Sequence, residues 1–262
     1  MATQLRLRSA KILVINLSAV GSEVVKNLVL GGVNTLEILD SSVVKEEDFL
    51  AQFFLPNDDS IVGKPKLPQA ISQVRELNNR VEVSINTGLL KEQPSKYFEQ
   101  FDLIIATEIL KQDVLLLNSI TRASNVPLYV SGMHGKFGYI ITDLIKHIST
   151  LEKDLGNQSR TPGTLLAPRK TITNVQYNKN SNKEEVTVED IYVPISEIFQ
   201  SKNLPLQLNK RQLKRLLPAV PILLALFDVD RPEYPENMAS PAELTAKAEK
   251  VCSDLQIPTL VI

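Results

Sequence analysis

Apolar positions in the first half of the chain fall into short unbroken runs, separated by stretches of helical period. Residues 11–17 form one such run, with Ile12 to Ile15 wholly apolar, as expected of a strand buried on both faces. Over 21–30 the pattern changes: Val24, Val25, Leu28 and Val29 are apolar, while Glu23, Lys26 and Asn27 are polar, which predicts a helix. Gly31 and Gly32 supply its stop, because glycine enters the left-handed region without a Cβ penalty. Residues 35–40 predict a second strand. A helix over 68–77, with Ile71, Val74 and Leu77 on one face, leads to a strand over 81–85. Then come a buried strand over 101–106, a helix over 113–124, a strand over 128–131 and one more beginning at the glycine bend 135–138. This alternation predicts an α/β fold, Rossmann-like and doubly wound, with a mostly parallel sheet and flanking helices.

Beyond Lys146 the periodicity fades. Residues 149–184 are rich in Ser, Thr, Asn, Pro and Gly and read as a loop or disordered crossover, with 156–160 and 178–183 the least patterned. A strand over 185–193, an amphipathic basic helix over 209–217 and a helix over 240–255 follow. The expected organisation is a nucleotide-fold domain over 1–148, the crossover over 149–184, and a small carboxyl-terminal region over 185–262 forming a late antiparallel or irregular extension. The stripe of Lys210, Arg211, Lys214 and Arg215, with Leu213, Leu216 and Leu217 between, reads as the solvated face of a helix packed by its leucines.

Composition narrows the function classes. The 262 residues carry a net charge of −1, which argues against a chain built to grip a nucleic-acid backbone. A single cysteine, Cys252, excludes an internal disulfide, and with His134 and His147 it has no metal-ligand spacing, so no metal site is expected. Cys252 reads as a structural thiol, and His134 has no catalytic partner evident in sequence. The apolar run over 216–227 is broken by Pro218 and Pro221 and is too short to span a bilayer. The chain reads as soluble and intracellular, with neither nucleic acid nor membrane as a partner.

The first strand runs into a degraded glycine-rich turn. The dinucleotide fingerprint uses two glycines for the tight turn and the approach to phosphate, and a third for helix–strand packing. Here Asn16 and Ser18 hold the first two slots, and Gly21 alone remains. Asp40, 19 residues after Gly21, stands where an acid would meet a ribose, though it also reads as a strand-end turn residue. That spacing leaves an NAD(P)-dependent oxidoreductase as an alternative, but no Tyr-x-x-x-Lys pair follows.

Taken in order, the motifs resemble a known family. They are Arg6-Leu-Arg8, the strand and turn over 11–21, Lys26-Asn-Leu-Val-Leu-Gly31, Leu39-Asp40, Ala51-Gln-Phe-Phe54, Val62-Gly-Lys-Pro-Lys66 and Glu76-Leu-Asn78. The set is similar to the activating enzymes of ubiquitin-like modifiers and their bacterial adenylating relatives. Within that family it most resembles the smaller, non-cysteine subunit of the SUMO-activating heterodimer, with the corresponding NEDD8 subunit as the neighbouring alternative. The resemblance is dense over 5–145 and loose over 185–262.

The resemblance implies a nuclear, and secondarily cytoplasmic, subunit that is not catalytic by itself. Its partner would be a larger, cysteine-bearing subunit, which would bind ATP and magnesium, adenylate a SUMO-like modifier and carry the thioester. No cofactor is expected on this chain. The family's second acid falls at Ser42, its Asn and Arg phosphate contacts at Leu50 and Ala51 beside a retained Gln52, its lysine at Lys66 and its later aspartate at Glu108. Asn16, Ser18, Gly21, Asp40, Lys66 and Glu108 are therefore expected to form a vestigial nucleotide site. Arg6, Arg8, Phe49, Phe53 and Phe54 are expected at the partner interface, Arg6 and Arg8 matching basic residues downstream of a family segment expected ahead of Met1. The family's final helix and strands are expected beyond Ile262.

Overall fold

Alternation along the central strand sends Ile12 and Val14 to one side of a sheet and Leu13 and Ile15 to the other, and helices cover both. The structure is a computed structural model and describes residues 2–156, 160–179, 182–200, 210–213, 215–217, 219–229 and 240–257. The first elements are α1 (Ala2–Leu7), β1 (Lys11–Ile15), α2 (Ala19–Gly31) and β2 (Thr35–Leu39). Next come α3 (Lys66–Leu77), β3 (Glu82–Asn86), α4 (Ser95–Glu99) and β4 (Leu103–Thr107), then α5 (Lys111–Ala123), β5 (Leu128–His134) and β6 (Phe137–Asp143). The strand order is β3-β2-β1-β4-β5-β6, parallel except for β6, which returns antiparallel to β5. Val25, Val29, Leu67 and Val74 seal one face, and Phe98, Val114, Leu117 and Ile195 seal the other. The expected doubly wound sheet is what the chain forms.

Boundaries moved where a backbone feature intervened. The strand expected over 11–17 stops at Ile15 because Asn16 turns into the left-handed region at φ 68. α2 ends as expected, with Gly32 at φ 74 donating to Leu28 and Val29.

The loop expected over 149–184 is corrected. That stretch lies mostly in a second, antiparallel sheet of β7 (Lys146–Asp154), β8 (Leu165–Ala167), β9 (Lys170–Asn178) and β10 (Lys183–Ile191), ordered β7-β10-β9-β8. Within the two stretches expected to be least patterned, 157–159 and 180–181 lie outside the described residues. The apolar signal is weak because most of both faces is solvated. Only Ile172, Val186 and Val188 are buried in this sheet's core, and no residue of β7 is buried. The β7 edge is long and exposed, but charges at Lys146, Glu152, Lys153 and Asp154 blunt it against pairing with other chains.

The remaining helices are α6 (Ile195–Phe199), α7 (Lys210–Leu213), α8 (Ala219–Phe227) and α9 (Pro241–Leu255). The helix expected over 209–217 shrinks to one turn among the described residues, since Arg215 to Leu217 are not helical. Pro218 disfavours helical backbone at the residue before it; Asn209 and Lys214 lie outside the described residues. α9 begins as its sequence dictates, with the Ser240 Oγ accepting from the Glu243 amide at 3.2 Å and Pro241 in the first turn. Leu224 of α8 packs against Val251 and Leu255 of α9.

One buried polar knot joins the main sheet to the extension. Asp143, fully buried at the end of β6, accepts from Asn118 Nδ2 at 2.8 Å, from Arg122 Nη1 at 2.9 and 2.8 Å, and from the Ile145 amide at 2.9 Å. Asn118 Oδ1 accepts from the Ile195 amide at 2.9 Å, which fixes the start of α6. No helix of the described residues is long and apolar enough to cross a membrane.

Candidate functional site

In this strand order the chain reverses direction across the sheet between β1 and β4, and open α/β sheets bind ligands outside the carboxyl ends of strands at such a point. The turn after β1 lies there. Asn16 takes the left-handed conformation that asparagine tolerates better than other side-chain-bearing residues. Its Nδ2 donates to the Thr107 carbonyl at 2.9 Å, and its own carbonyl accepts from Thr107 Oγ1 at 2.7 Å. The turn is thereby pinned to the end of β4. Ser18 caps α2: its Oγ accepts from the Gly21 amide at 3.1 Å and shares a hydrogen bond with Thr107 Oγ1 at 3.0 Å.

The other side of the turn is held equally closely. Asp40 accepts from the Leu17 amide through Oδ2 at 2.9 Å and from the Ser42 amide through Oδ1 at 2.8 Å. Gln52, buried, donates from Nε2 to the Leu17 carbonyl at 2.7 Å and accepts from Ser22 Oγ at 2.5 Å. A phosphate-binding turn leaves the amides at its helix amino terminus open to an anion. Here the chain's own Ser18 and Asp40 oxygens already occupy the Gly21 and Leu17 amides.

Beyond the turn lies a cleft of about 200 Å³ lined by Asn16, Asp40, Ser42, Gly88, Glu108 and Asp113, among others. Pockets that bury a drug-sized ligand are usually about 300–1,000 Å³. Three carboxylates face this one. Asp113 pairs with Lys91 at 3.3 Å, and Glu108, at φ 52, accepts from the Met133 amide at 3.4 Å. Ser42, expected to fall in the slot of a second acid, has a buried Oγ with no hydrogen-bond partner in the described structure. Lys66 is 7% exposed and pairs with Asp48 at 2.9 Å, so its charge is matched within the chain. Leu50 is 90% exposed and offers neither donor nor charge. Among the described residues no cluster of three or more His, Cys, Asp or Glu could hold a metal ion. Acceptors, not donors, dominate the cleft, and a polyphosphate needs the reverse.

Of the expected site residues, the structure gathers Asn16, Ser18, Gly21, Asp40 and Glu108 around one turn and cleft. Lys66 lies beside them, its amide donating to the Ser42 carbonyl at 3.0 Å, but its ammonium is turned to Asp48. The expected interface set does not form one patch. Arg6 and Arg8 are exposed on and just after α1, whose Leu7 approaches Gly31 at the carboxyl end of α2. That is on the order of 20 Å, one helix length, from the turn. Phe54 is corrected: it is 2% exposed and belongs to the core with Leu67 and Val74. Phe49 packs partly buried on the same core. Phe53 alone remains at the surface, 44% exposed, with Lys26 Nζ 5.1 Å from its ring centroid.

Sequence reading missed Thr107, Ser22 and Asp48 as partners. Thr107 had a signal, since the last residue of a central strand beside the reversal point faces the crevice. Ser22 and Asp48 had none. Cys252 is buried in α9, away from the turn in sequence and in element, as a structural thiol would be.

Comparison with known proteins agrees with this fold. The model of the ThiF family matches residues 1–184, which include all six strands of the main sheet and the turn. The DNA damage tolerance protein RHC31 of Saccharomyces cerevisiae is 35% identical over 271 residues, covering 100% of this chain and 76% of that protein. The DNA damage tolerance protein rad31 of Schizosaccharomyces pombe is 31% identical over 154 residues, covering 59% of this chain and 50% of that protein. SUMO-activating enzyme subunit 1 of Xenopus tropicalis is 31% identical over 150 residues, covering 57% of this chain and 43% of that protein. The match thus spans half or less of the last two relatives. A parallel sheet reversing at β1 and β4, a turn at that point and a family match across both lead to one conclusion: the chain belongs to the ThiF family.

Proposed function

We propose that this chain is the smaller subunit of a SUMO-activating heterodimer and that it does not adenylate the modifier itself. Its similarity to proteins named SUMO-activating enzyme subunit 1 supports the assignment to SUMO. The observation that carries the non-catalytic part is the turn itself, where Ser18 and Asp40 take the amides a phosphate would need. The residues present do not fit ATP and magnesium: the cleft is lined by carboxylates, Lys66 is neutralised by Asp48, and the phosphate-contact slots hold Leu50 and Ala51. The retained ThiF scaffold would then complete and support a partner's site, and the nucleotide, the reactive cysteine and the modifier would sit on a larger subunit. A nuclear location follows from the same reading.

The test is co-purification of the tagged chain with a larger, cysteine-bearing ThiF relative, identified by mass spectrometry, followed by ATP–pyrophosphate exchange with a SUMO-like modifier. The complex should exchange and the chain alone should not. Modifier-dependent exchange by the chain alone, unchanged in Lys66→Ala, would show the site assignment to be wrong.

Cys252→Ser should leave thioester formation by the reconstituted complex intact while lowering stability by about 1–2 kcal/mol, because a hydroxyl replaces a thiol that is 1% exposed. Loss of the thioester band with assembly unchanged by gel filtration would place the reactive cysteine here instead.

A further inference from the structure

The connection from β7 to β8 carries a threonine–proline dipeptide in an exposed turn. Thr161 to Thr164 form a β-turn closed by the Thr164 amide on the Thr161 carbonyl at 3.2 Å. Pro162 holds its second position and Gly163, at φ 86, its third, the residue pair a type II turn favours. All four residues are exposed. Proline biases the residue before it toward extended backbone, the form in which a hydroxyl is presented on a strand-like segment. The Thr161 hydroxyl meets the Thr164 hydroxyl at 3.0 Å, a contact either group can leave by rotating about its Cα–Cβ bond.

One residue earlier stands a cation. Arg160 Nη1 donates to Glu184 Oε2 at 2.6 Å and to the Asp154 carbonyl at 3.0 Å, bridging the last residue of β7 and the second residue of β10. The Glu184 side chain is 13% exposed, so this pair is partly desolvated and depends on its geometry. The chain has one other Ser/Thr–Pro dipeptide, Ser240–Pro241, whose hydroxyl is engaged in capping α9.

We propose that Thr161 is a phosphorylation site for a proline-directed kinase, and that the phosphate draws Arg160 away from Glu184. Thr161 Oγ attacks the γ-phosphorus of ATP bound to the kinase. The Oγ–P bond forms as the bond to the β,γ-bridging oxygen breaks; ADP leaves, and the hydroxyl proton passes to the kinase's carboxylate base. The product carries about −1.5 to −2 charge at neutral pH. Charge-assisted, bidentate bonding favours phosphate over a single carboxylate oxygen as the partner of Arg160. Glu184 then loses its cation beside a new anion, and the paired ends of β7 and β10 loosen.

The experiment uses the full chain, folded, with a purified cyclin-dependent kinase and γ-labelled ATP. One phosphoryl group is expected on the peptide containing Thr161, lost in Thr161→Ala and Pro162→Ala and kept in Ser240→Ala. Hydrogen exchange over 151–154 and 183–186 is expected to quicken several-fold on phosphorylation, and Arg160→Ala without phosphate is expected to reproduce it. Absence of label on Thr161 in the folded chain overturns the site, as does label undiminished in Thr161→Ala. Exchange unchanged by phosphate at Thr161 overturns the transfer of Arg160.

Discussion

Gly21→Ala should destabilise the chain by about 3 kcal/mol or more, at the upper end for an added methyl in a packed core. A Cβ at this position would lie 2.3 Å from the Asn16 carbonyl oxygen and 2.9 Å from Thr107 Oγ1. The first obstacle is backbone, held in place because Thr107 donates to that same carbonyl. The second is the hydroxyl that also meets Ser18. The methyl therefore cannot be accommodated by one rotamer change: α2 must withdraw from β1, and Val25 and Val29 must leave the core with it. Ser18→Ala gives the scale, since loss of a helix cap alone costs about 1 kcal/mol. Urea unfolding followed by circular dichroism should place the Gly21→Ala midpoint well below that of Ser18→Ala. Equal midpoints would mean that the close approach of α2 to the turn does not hold the domain.

Asp143→Ala should cost about 3–5 kcal/mol, the range for removing one member of a buried ion pair. The carboxylate is fully buried and satisfies three donors on two segments: Asn118 and Arg122 of α5, and the Ile145 amide between β6 and β7. Alanine leaves all three without their acceptor. Arg122 is 28% exposed on its side chain and can recover water, so the cost falls mainly on Asn118 and the Ile145 amide. Asn118 also holds the Ile195 amide, and loss of its anchor should free the start of α6. Asp143→Asn keeps an acceptor and the shape, and should cost less than half as much. Hydrogen exchange should show the change over 192–199 before it appears in β1 or β4. A uniform loss of protection across the main sheet would mean that Asp143 supports the sheet and not the junction.

The outcome at each position follows the range of the interaction that decides it. Ile12 to Ile15, the helical spacing of Val25 and Val29, and Gly32 at the helix end are local instructions, and the main sheet formed where they placed it. The presence of Asn16 and Ser18 in the first two glycine slots was equally plain in the chain. What those side chains do in its place was not legible, because their partner Thr107 stands about ninety residues away and is brought to the turn only by the pairing of β1 with β4. Lys66 is the same case. Its ammonium could have faced the cleft or the chain's own acids, and the fold of the 3₁₀ segment at Glu46–Leu50 put Asp48 within reach.

Adjacent residues diverged for the same reason. Phe53 and Phe54 are indistinguishable by type, yet the direction of the backbone after Gln52 sends one ring outward and the other into the core. Three of the second sheet's four strands, β7 to β9, escaped a reading by periodicity because solvent reaches most of both its faces, whereas β10 formed close to the strand expected over 185–193. The sheet is specified by its neighbours' hydrogen bonds more than by a buried stripe. Local hydrophobic order was therefore enough to determine the doubly wound domain, and residue identity alone placed Asn16 and Ser18 in the glycine slots of its turn. Long-range strand pairing alone decided which polar groups closed that turn, which lysine was neutralised and where the extension was anchored, because each depends on residues that meet only after the chain has folded.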